Sequence, residues 1–352
     1  MVTNSPPARH RGILPTWQQE MAAAITDPAE LLRQLDLQPE QLDPAGLAGL
    51  AAAAQDFAMR VPQAFVRRMR RGDPADPLLR QVLSHSQELA PTPGFVADPL
   101  DEAAARRTPG LLQKYHGRAL LVATGACAVH CRYCFRREYD YAADSDGADG
   151  GRWDAAFAAL AADAGVEELI LSGGDPLSLS NARLELLFRR AGDITHLRRL
   201  RIHTRNPIVL PSRVDAGLLQ LLTASRLPIV IVVHANHAAE IDADVRTALA
   251  GLGNTGAILL NQSVLLAGVN DTASALTGLS VALFDAGVLP YYLHLLDRVS
   301  GAAHFDVPLD RAQALLRDIA ARLPGYLVPR LVREEPGMPG KTPVPLERLA
   351  AT

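Results

Sequence analysis

The sequence predicts an α/β fold in which parallel strands are covered by helices. From about Arg118 onward, six apolar strand-like runs alternate with helical patterns. Near-continuous apolar strands are typical of parallel sheets that are buried on both faces. Polar clusters follow five of these runs, at the predicted strand ends. The pattern fits a doubly wound sheet or a full or partial β/α barrel, and periodicity alone does not choose between them.

The first hundred or so residues predict a helical region that is interrupted by prolines. In "TDPAELLRQL", Asp27 can cap a helix with Pro28 at its first position, and the leucines that follow form an apolar stripe. The basic run "RRMRR" at residues 67–71 is typical of a solvated helix face. This region therefore precedes the alternating part of the chain as a separate helical element.

The alternating part can be followed run by run. The predicted strands are "ALLVAT", "EELILSG", "LRRLRIHT", "PIVIVVHAN", "AILLNQSVLL" and "VLPYYLHLL". Helical patterns between them include "WDAAFAALAADAG", "ARLELLFRRAGD", "HAAEIDADVRTALAGLG" and "ASALTGLSVALFDAG". Each helix is long enough to return the chain for another parallel strand.

Residues with chemical potential cluster where these strands end. A cysteine run follows "ALLVAT", "SGGDP" follows "EELIL", "HTRNP" follows "LRRLRI", "HANH" follows "PIVIVV", and Asp297 follows "YYLHLL". In parallel α/β architectures the active site lies at the carboxyl ends of the strands. The five clusters therefore predict one composite site.

Composition limits the class of protein. A net charge of −3 and a pI near 6.4 argue against nucleic-acid binding. The start "MVTNSPPARHRG" is polar and resembles no signal peptide, and no run is long and apolar enough to span a bilayer. We expect a reduced, cytoplasmic protein without a membrane partner, in which thiolates can bind metal.

All three cysteines lie within "CAVHCRYC", residues 127–134. An odd number in so short a run does not fit a disulfide framework and favours a metal site. A structural zinc ion would need a fourth ligand such as His130, which directly abuts Cys131. The alternative is an iron–sulfur cubane that is held by three cysteines and has one open iron.

The cysteine spacing resembles that of radical S-adenosylmethionine enzymes, with the aromatic Tyr133 before the last cysteine. The resemblance implies a partial (β/α)6 barrel and a [4Fe-4S] cluster on Cys127, Cys131 and Cys134. It also implies that S-adenosylmethionine binds the open iron and that a flavodoxin- or ferredoxin-type donor supplies the electron.

The segment "SGGDP" resembles the glycine motif that contacts S-adenosylmethionine in that superfamily. Ser172, Gly173, Gly174 and Asp175 are therefore candidate cofactor-binding residues. Glycine suits such a position because the backbone must approach a ligand closely. His234 and Gln262, by family position, are expected to line the same cofactor.

The segment "REEPGMPGKTPV" resembles the C-terminal loop of lysine 2,3-aminomutases, in which a lysine forms a Schiff base with pyridoxal 5'-phosphate. The resemblance makes Lys341 that lysine and gives Tyr115 and Arg118 to the cofactor phosphate. Two departures are a loop that reads "PGMPGK" rather than a glycine run, and Glu334 where the metabolic enzymes have aspartate.

The same family implies how the substrate, L-lysine, is held. Arg136 is expected to pair with the substrate carboxylate as a bidentate guanidinium. Asp297 and Glu334 match the two carboxylates that receive the distal ammonium. The implied reaction, an isomerisation, moves the amino group of L-α-lysine from C2 to C3 and yields β-lysine.

Segments such as "ITDPAELLRQLDL" and "RVPQAFVRRM" resemble the short bacterial branch of the family, which serves the β-lysylation of elongation factor P together with a lysyl ligase. The resemblance implies an N-terminal helical region (1–110), a partial barrel (111–325) and a C-terminal segment with the pyridoxal lysine (326–352). A homo-oligomer is compatible with this interpretation. The alternatives are a metabolic aminomutase for lysine or another amino acid, and a zinc-binding, catalytically silent scaffold.

Overall fold

The computed structural model describes residues 16–144 and 151–345, so the polar N-terminal start lies outside the described residues. The first described part is helical, with α1 (Trp17–Ala22), α2 (Pro28–Gln34), α3 (Gly46–Asp56), α4 (Gln63–Val66) and α5 (Pro77–Arg80). As predicted, Asp27 caps α2 by accepting a hydrogen bond from the backbone of Ala29. These helices share an apolar core that also contains Val129 of the cysteine run. The helical region thus packs directly on the cysteine segment.

A single ten-stranded sheet forms the remainder, and its strands pair in chain order. The strands are β1 (Arg106–Thr108), β2 (Leu111–Tyr115), β3 (Arg118–Thr124), β4 (Glu168–Gly173), β5 (Arg199–Thr204), β6 (Ile229–Val233), β7 (Ile258–Val264), β8 (Leu289–His294), β9 (Arg330–Arg333) and β10 (Thr342–Pro343). Strands β3 to β9 run parallel, whereas β1, β2 and β10 pair antiparallel at the two edges.

The predicted partial barrel is confirmed, and its six predicted strands are β3 to β8. The sheet nevertheless extends past both predicted boundaries, because β1 precedes residue 111 and β9 and β10 follow residue 325. These added strands, "RRT", "RLVR" and "TP", have only two to four residues, so they lack an apolar run that sequence patterns would detect. Within the described residues the sheet does not close, since β1 and β10 are its two edges.

Helices that follow β3 along the chain are α6 (Tyr141–Asp144), α7 (Arg152–Ala162), α8 (Asn181–Asp193), α9 (Asn206–Val209), α10 (Ala216–Thr223), α11 (Ala243–Asn254), α12 (Ala273–Asp285) and α13 (Leu309–Ala320). The longer ones cover the outer face of the sheet, whereas α6 contacts the end of β4 through Tyr141. Side chains such as Leu200 and Ile202 of β5 are buried in the core between sheet and helices. Because strand side chains alternate, Arg201 and His203 face the opposite, concave side. Among the described helices, none has both the length and the apolar character to cross a membrane.

Candidate active site

The three cysteines lie on the loop that leaves β3 at its carboxyl end, and each is partly exposed. The backbone N–H of Cys134 donates to the carbonyl of Cys131 at 3.0 Å, which folds the loop back on itself. Burial raises the pKa of the Cys127 thiol well above its usual range, and the charges of Asp175 and of the other two thiols raise it further. Burial and the neighbouring Cys131 raise the pKa of Cys134 to about 11. Bound iron would relieve this mutual repulsion, because metals bind the thiolate form.

His130 of the same loop is turned away from the cysteines. Its Nδ1 donates to the carbonyl oxygen of Ala58 at 2.6 Å, and its ring stacks on Phe57 at a centroid distance of 5.5 Å. Both partners belong to the helical region. The imidazole is therefore engaged elsewhere, and the structure does not favour a zinc site that is completed by His130.

A buried ion pair anchors the cysteine loop to the helical region. Arg132 lies between the second and third cysteines, and its Nε donates to Glu88 at 2.8 Å. Both side chains are fully buried. Arg137 lies 3.0 Å from the same carboxylate, and Arg132 also donates to the carbonyl of Phe57 at 2.8 Å. Breaking a buried pair by removing one partner is strongly destabilising, so this anchor holds the loop in one position.

Gly173 and Gly174 make the close backbone contact between β4 and the cysteine loop. A Cβ at Gly173, whose φ is +110°, would lie 2.6 Å from the carbonyl oxygen of Thr124. A Cβ at Gly174 would lie 2.5 Å from the carbonyl oxygen of Ala126. The predicted reason for these glycines was the approach of a ligand. The structure adds a second reason, since rigid backbone atoms of the cysteine loop already require them.

Asp175 was predicted to bind cofactor, but both of its carboxylate oxygens are engaged within the protein. Oδ1 accepts from the backbone of Leu177 at 2.9 Å and from the Thr204 hydroxyl at 2.7 Å. Oδ2 accepts from the backbone N–H groups of Arg205 at 2.7 Å and Asn206 at 3.0 Å. The side chain therefore braces the loop after β4 against the loop after β5, because all its short contacts are internal.

Arg136 also makes more hydrogen bonds within the protein than predicted. Its Nε and Nη2 donate to the two oxygens of Glu102 at 2.6 and 2.8 Å, and its Nη1 donates to the Ser172 hydroxyl at 3.1 Å and the Gly173 carbonyl at 3.3 Å. Arginine has five N–H groups, so these four bonds leave one on Nη2. In this structure the bidentate partner of Arg136 is therefore Glu102. A single hydrogen bond remains for the substrate.

Lys341 forms an ion pair with Glu334, one of the two carboxylates predicted to bind the substrate ammonium. Its Nζ lies 2.6 Å from Oε2 of Glu334, and Nζ of Lys114 lies 3.1 Å from Oε1 of the same residue. Lys114 is also 3.2 Å from Glu102, which in turn holds Arg136. Alternating charges thus connect the loop of Lys341 to the cysteine loop. Lys114 and Lys341 are the only two lysines in the sequence.

The Lys114–Glu334 ion pair spans the opening of the partial barrel. Lys114 belongs to β2 near one edge of the sheet, and Glu334 directly follows β9 near the other edge. Their nitrogen and oxygen are 3.1 Å apart, although no backbone ladder joins β2 to β9 in the described part of the sheet. Charged side chains therefore draw together two edges that backbone hydrogen bonds leave apart.

Asp297 and Glu334 carry opposite pKa shifts. Burial, followed by the negative charge of Glu334, raises the pKa of Asp297 to about 7. Burial would also raise the pKa of Glu334, but Lys341 and Lys114 hold it well below its usual range. A cation that approaches Asp297 would be stabilised by its ionised form and would lower its pKa again. The pair is thus electrostatically suited to receive one more positive charge.

A cavity of about 310 Å³ adjoins these two carboxylates. Its lining includes Asp297 and Glu334, the apolar residues Val96, Pro99 and Leu100 of the segment before β1, and the charged residues Arg298, Asp306 and Arg333. A second cavity, of about 390 Å³, lies at the opposite ends of the strands around Gly117 and Glu168, away from the cysteine loop. Only the first cavity joins apolar walls to the two acidic groups.

Four buried polar atoms on or beside the concave face have no hydrogen-bond partner among the described residues. They are Oη of Tyr115 and Nε2 of His203, His234 and His294. Burial lowers the pKa of His234 to about 3, with further lowering by Arg205, and it lowers the pKa values of the other two histidines well below their usual range. These imidazoles are therefore neutral near pH 7. Buried polar groups normally have partners, so the face fits a ligand that offers several hydrogen bonds.

The remaining predicted residues lie around the same face. The guanidinium of Arg118 stacks over the ring of Tyr115 at 4.5 Å, and it approaches Gly340 beside Lys341. Gln262 of β7 pairs in register with Tyr292 of β8, and Nζ of Lys341 lies 5.8 Å from the centroid of that tyrosine ring. The structure thus places every predicted site residue on one side of the sheet or on the loops beside it.

Several residues of this site were not identified from the sequence. They are Glu102, Lys114 and His294, whereas His203 and Arg205 belong to the predicted cluster "HTRNP" but were given no individual role. His294 could have been found, because it alternates with apolar residues in a predicted strand and so faces the side opposite the core. Glu102 and Lys114 precede the predicted barrel or stand at its start, where no pattern marked them.

Comparison with known proteins agrees with this geometry. A family profile described as "4Fe-4S single cluster domain" matches residues 116–195, which include all three cysteines. The L-lysine 2,3-aminomutase of Escherichia coli is 47% identical over 99% of this chain and 98% of its own length. The L-lysine 2,3-aminomutase of Haemophilus influenzae is 43% identical over 93% of this chain and 94% of its own length. The one from Clostridium subterminale is 32% identical over 93% and 77%.

A solved structure of a radical SAM methyltransferase from Sphaerobacter thermophilus matches more distantly. It covers 63% of this chain and 68% of its own chain, at 19% identity and a TM-score of 0.44. The fold assignment therefore rests on the strand order described above. Sequence identity over nearly the full length is the stronger finding, and it classifies the protein as an isomerase. The chain belongs to the L-lysine 2,3-aminomutase family.

Proposed function

We propose that the protein is a radical S-adenosylmethionine enzyme that uses pyridoxal phosphate to convert L-α-lysine to β-lysine. The amino group moves from C2 to C3, and the hydrogen taken from C3 returns at C2. The observation that carries the proposal is the continuous charged chain from Lys341 through Glu334, Lys114 and Glu102 to Arg136 beside the cysteine loop. This chain of ion pairs connects the loop of Lys341, the proposed pyridoxal lysine, with the loop of the proposed cluster cysteines.

The residues of the concave face fit the proposed cofactors. A pyridoxal phosphate attached to Nζ of Lys341 would lie near Arg118, whose cation suits a phosphate, and would offer a partner to Tyr115, whereas His234 would face S-adenosylmethionine. Cys127, Cys131 and Cys134 would hold three irons of the cluster. When bound, the cluster, S-adenosylmethionine and pyridoxal phosphate supply the radical chemistry and stabilise the migrating amino group.

The protein's own residues would select and orient lysine. Asp297 and Glu334 present two carboxylates beside a cavity, where they can receive the distal ammonium. The remaining N–H group of Arg136 can donate a hydrogen bond to the α-carboxylate of lysine. Burial of these charges makes mismatched substrates costly, because a neutral or acidic side chain would leave a carboxylate without its cation.

We further propose that the β-lysine serves the modification of elongation factor P, with an electron donor of the flavodoxin or ferredoxin type. The support is the similarity of the N-terminal segments to the short bacterial branch. Identity is also higher to the Escherichia coli and Haemophilus influenzae relatives, at 47% and 43%, than to the clostridial one, at 32%. Loss of β-lysylated elongation factor P in a deletion strain, restored by this chain, would support this use of the product.

The activity is tested with anaerobically reconstituted protein, reductant, S-adenosylmethionine, pyridoxal phosphate and L-lysine. We expect β-lysine in the products, and we expect none from alanine or glutamate as substrates. A holoprotein that cleaves S-adenosylmethionine but rearranges another amino acid would support the alternative aminomutase. A colourless protein that retains zinc and no iron would contradict the enzyme altogether.

Asp297→Asn is expected to lower kcat/KM for lysine roughly a hundredfold, because one carboxylate of a buried charge cluster is lost. This factor corresponds to a loss of about 3 kcal/mol in transition-state stabilisation. Binding of S-adenosylmethionine and pyridoxal phosphate should change little. In the unaltered enzyme kcat/KM should also fall as the pH drops through about 7, where Asp297 takes up a proton and loses its charge. That acid limb should be absent from the pH profile of the variant.

Asp306→Asn is the matched control, since Asp306 lines the same cavity but is paired with Arg298 at 3.3 Å. It should leave both kcat/KM and the pH profile unchanged. Lysine would be excluded as the substrate if Asp297→Asn formed β-lysine as efficiently as the unaltered enzyme at subsaturating and saturating lysine.

A further inference from the structure

A buried arginine outside the predicted site touches a cysteine sulfur. Nη1 of Arg205, at the end of β5, lies 2.7 Å from Sγ of Cys131 and 2.6 Å from the hydroxyl of Tyr133. Its side chain is only 6% exposed, so water screens its charge weakly.

Two buried side chains, Gln81 and Glu240, hold the guanidinium of Arg205 in this position. Its Nη2 donates to Oε1 of Gln81 at 2.7 Å and to Oε2 of Glu240 at 3.1 Å. Glu240 is fully buried, and its other oxygen accepts from the backbone N–H groups of Asn236 at 2.8 Å and His237 at 2.9 Å. Both partners are fully buried, so the guanidinium is held beside the sulfur by groups that are themselves enclosed.

The backbone of Arg205 is fixed as well. Its N–H donates to Asp175 at 2.7 Å, and Asp175 directly follows the two glycines that pack on the cysteine loop. The segment of Asp175 and the two glycines thus contacts both the backbone of Arg205 and the cysteine loop. A contact that only filled space would not need a buried ion pair, a buried amide and a backbone hydrogen bond to hold it.

We propose that Arg205 sets the reduction potential of the iron–sulfur cluster through its hydrogen bond and positive charge at the sulfur of Cys131, with Glu240 as the opposing charge. The inference rests on the proposed cluster. Reduction adds one negative charge to a cluster, and a nearby cation with an N–H directed at a ligand sulfur stabilises that reduced state. Arg205 is closer to the sulfur than Glu240 is, so the cationic end of the pair dominates at the cluster.

The two members of the pair should act in opposite directions. Arg205→Gln removes the positive charge and should move the midpoint potential to more negative values. A tenfold change in the ratio of reduced to oxidised cluster corresponds to about 59 mV for one electron, and we expect a shift of at least that size. Glu240→Gln removes the negative charge and should move the midpoint to more positive values. Arg205→Lys keeps the charge and should lie between Arg205→Gln and the unaltered protein.

The measurement is a redox titration of the reconstituted full-length protein, followed by electron paramagnetic resonance and without S-adenosylmethionine. Iron and sulfide are counted first in each variant. Arg213→Gln is the matched control, because Arg213 is a fully buried arginine that donates to the carbonyl of Leu179 at 3.1 Å and touches no cysteine sulfur in the described structure. Its midpoint should equal that of the unaltered protein.

The outcomes separate this inference from the proposed function. An unaltered protein that binds no iron would contradict the cluster itself. Full clusters with the same midpoint in Arg205→Gln as in the unaltered protein would overturn the role of Arg205 and leave the cluster standing. If Arg205→Gln retains no cluster, Glu240→Gln decides. A positive shift then supports the proposal, and an unchanged or negative midpoint overturns it.

Discussion

Alanine in place of any one of Cys127, Cys131 and Cys134 is expected to abolish the reductive cleavage of S-adenosylmethionine. A cubane with only two protein ligands is held weakly, and the iron that must remain open for the cofactor is no longer defined. The fold should persist, because the cysteines lie on a loop and the main core lies between the sheet and its helices. Iron content, the visible spectrum and 5'-deoxyadenosine formation measure the loss, and circular dichroism measures the fold.

His130→Ala is the control for this result. His130 lies in the same loop, but its ring is bonded to Ala58 and stacked on Phe57. The variant should therefore retain iron and cleave S-adenosylmethionine. Turnover by Cys131→Ala at the unaltered rate would refute the iron–sulfur assignment, and loss of metal in both His130→Ala and Cys131→Ala would point back to a zinc site.

Lys341→Ala is expected to remove the covalent link to pyridoxal phosphate, and with it the visible absorbance of the bound cofactor, while the cluster remains. The loop of Lys341 offers this amine as its one nucleophile of the required type. Loss of the Nζ cation should also weaken the hold on Glu334, which it contacts at 2.6 Å. β-Lysine formation should therefore fall to background, measured by product analysis after a single incubation.

Lys114→Ala is an unusually close control, because the chain has only these two lysines and both contact Glu334. Borohydride reduction of the holoprotein followed by peptide mapping has a simple readout for the same reason. The label should appear on the peptide of Lys341 in Lys114→Ala and should disappear in Lys341→Ala. A label on Lys114 in the unaltered protein would show that the C-terminal assignment is wrong.

The sequence predicted the strands whose apolar runs are continuous and missed those whose identity depends on a neighbour. Strands β3 to β8 have buried cores of several residues, which local periodicity reveals. Strand β9, "RLVR", has two buried residues between two exposed arginines and becomes a strand because β8 offers it a parallel edge. Hydrogen bonds to another element, rather than its own pattern, define it.

Charged partners were the least predictable part of the site. Lys114 and Glu334 form an ion pair although they are 220 positions apart in the sequence, and Arg136 and Glu102 are 34 positions apart. The run at residues 67–71 shows the same limit. It was predicted to be a solvated face, and Arg67, Arg70 and Arg71 are indeed exposed, but the side chain of Arg68 is 6% exposed and lies 3.7 Å from Asp242. Charge patterns indicate which residues need a partner, but only the tertiary fold decides which partner arrives.

The ion pair between Lys114 and Glu334 acts as a latch on the molecule. Widening a closed barrel would require a row of backbone hydrogen bonds to break together, whereas this latch opens when one pair of side chains separates. Both side chains are mostly buried, at 18% and 15% exposure, so salt screens the pair only weakly and it should persist at high ionic strength. Separation of this pair would release β2 from β9 without breaking a backbone hydrogen bond between strands.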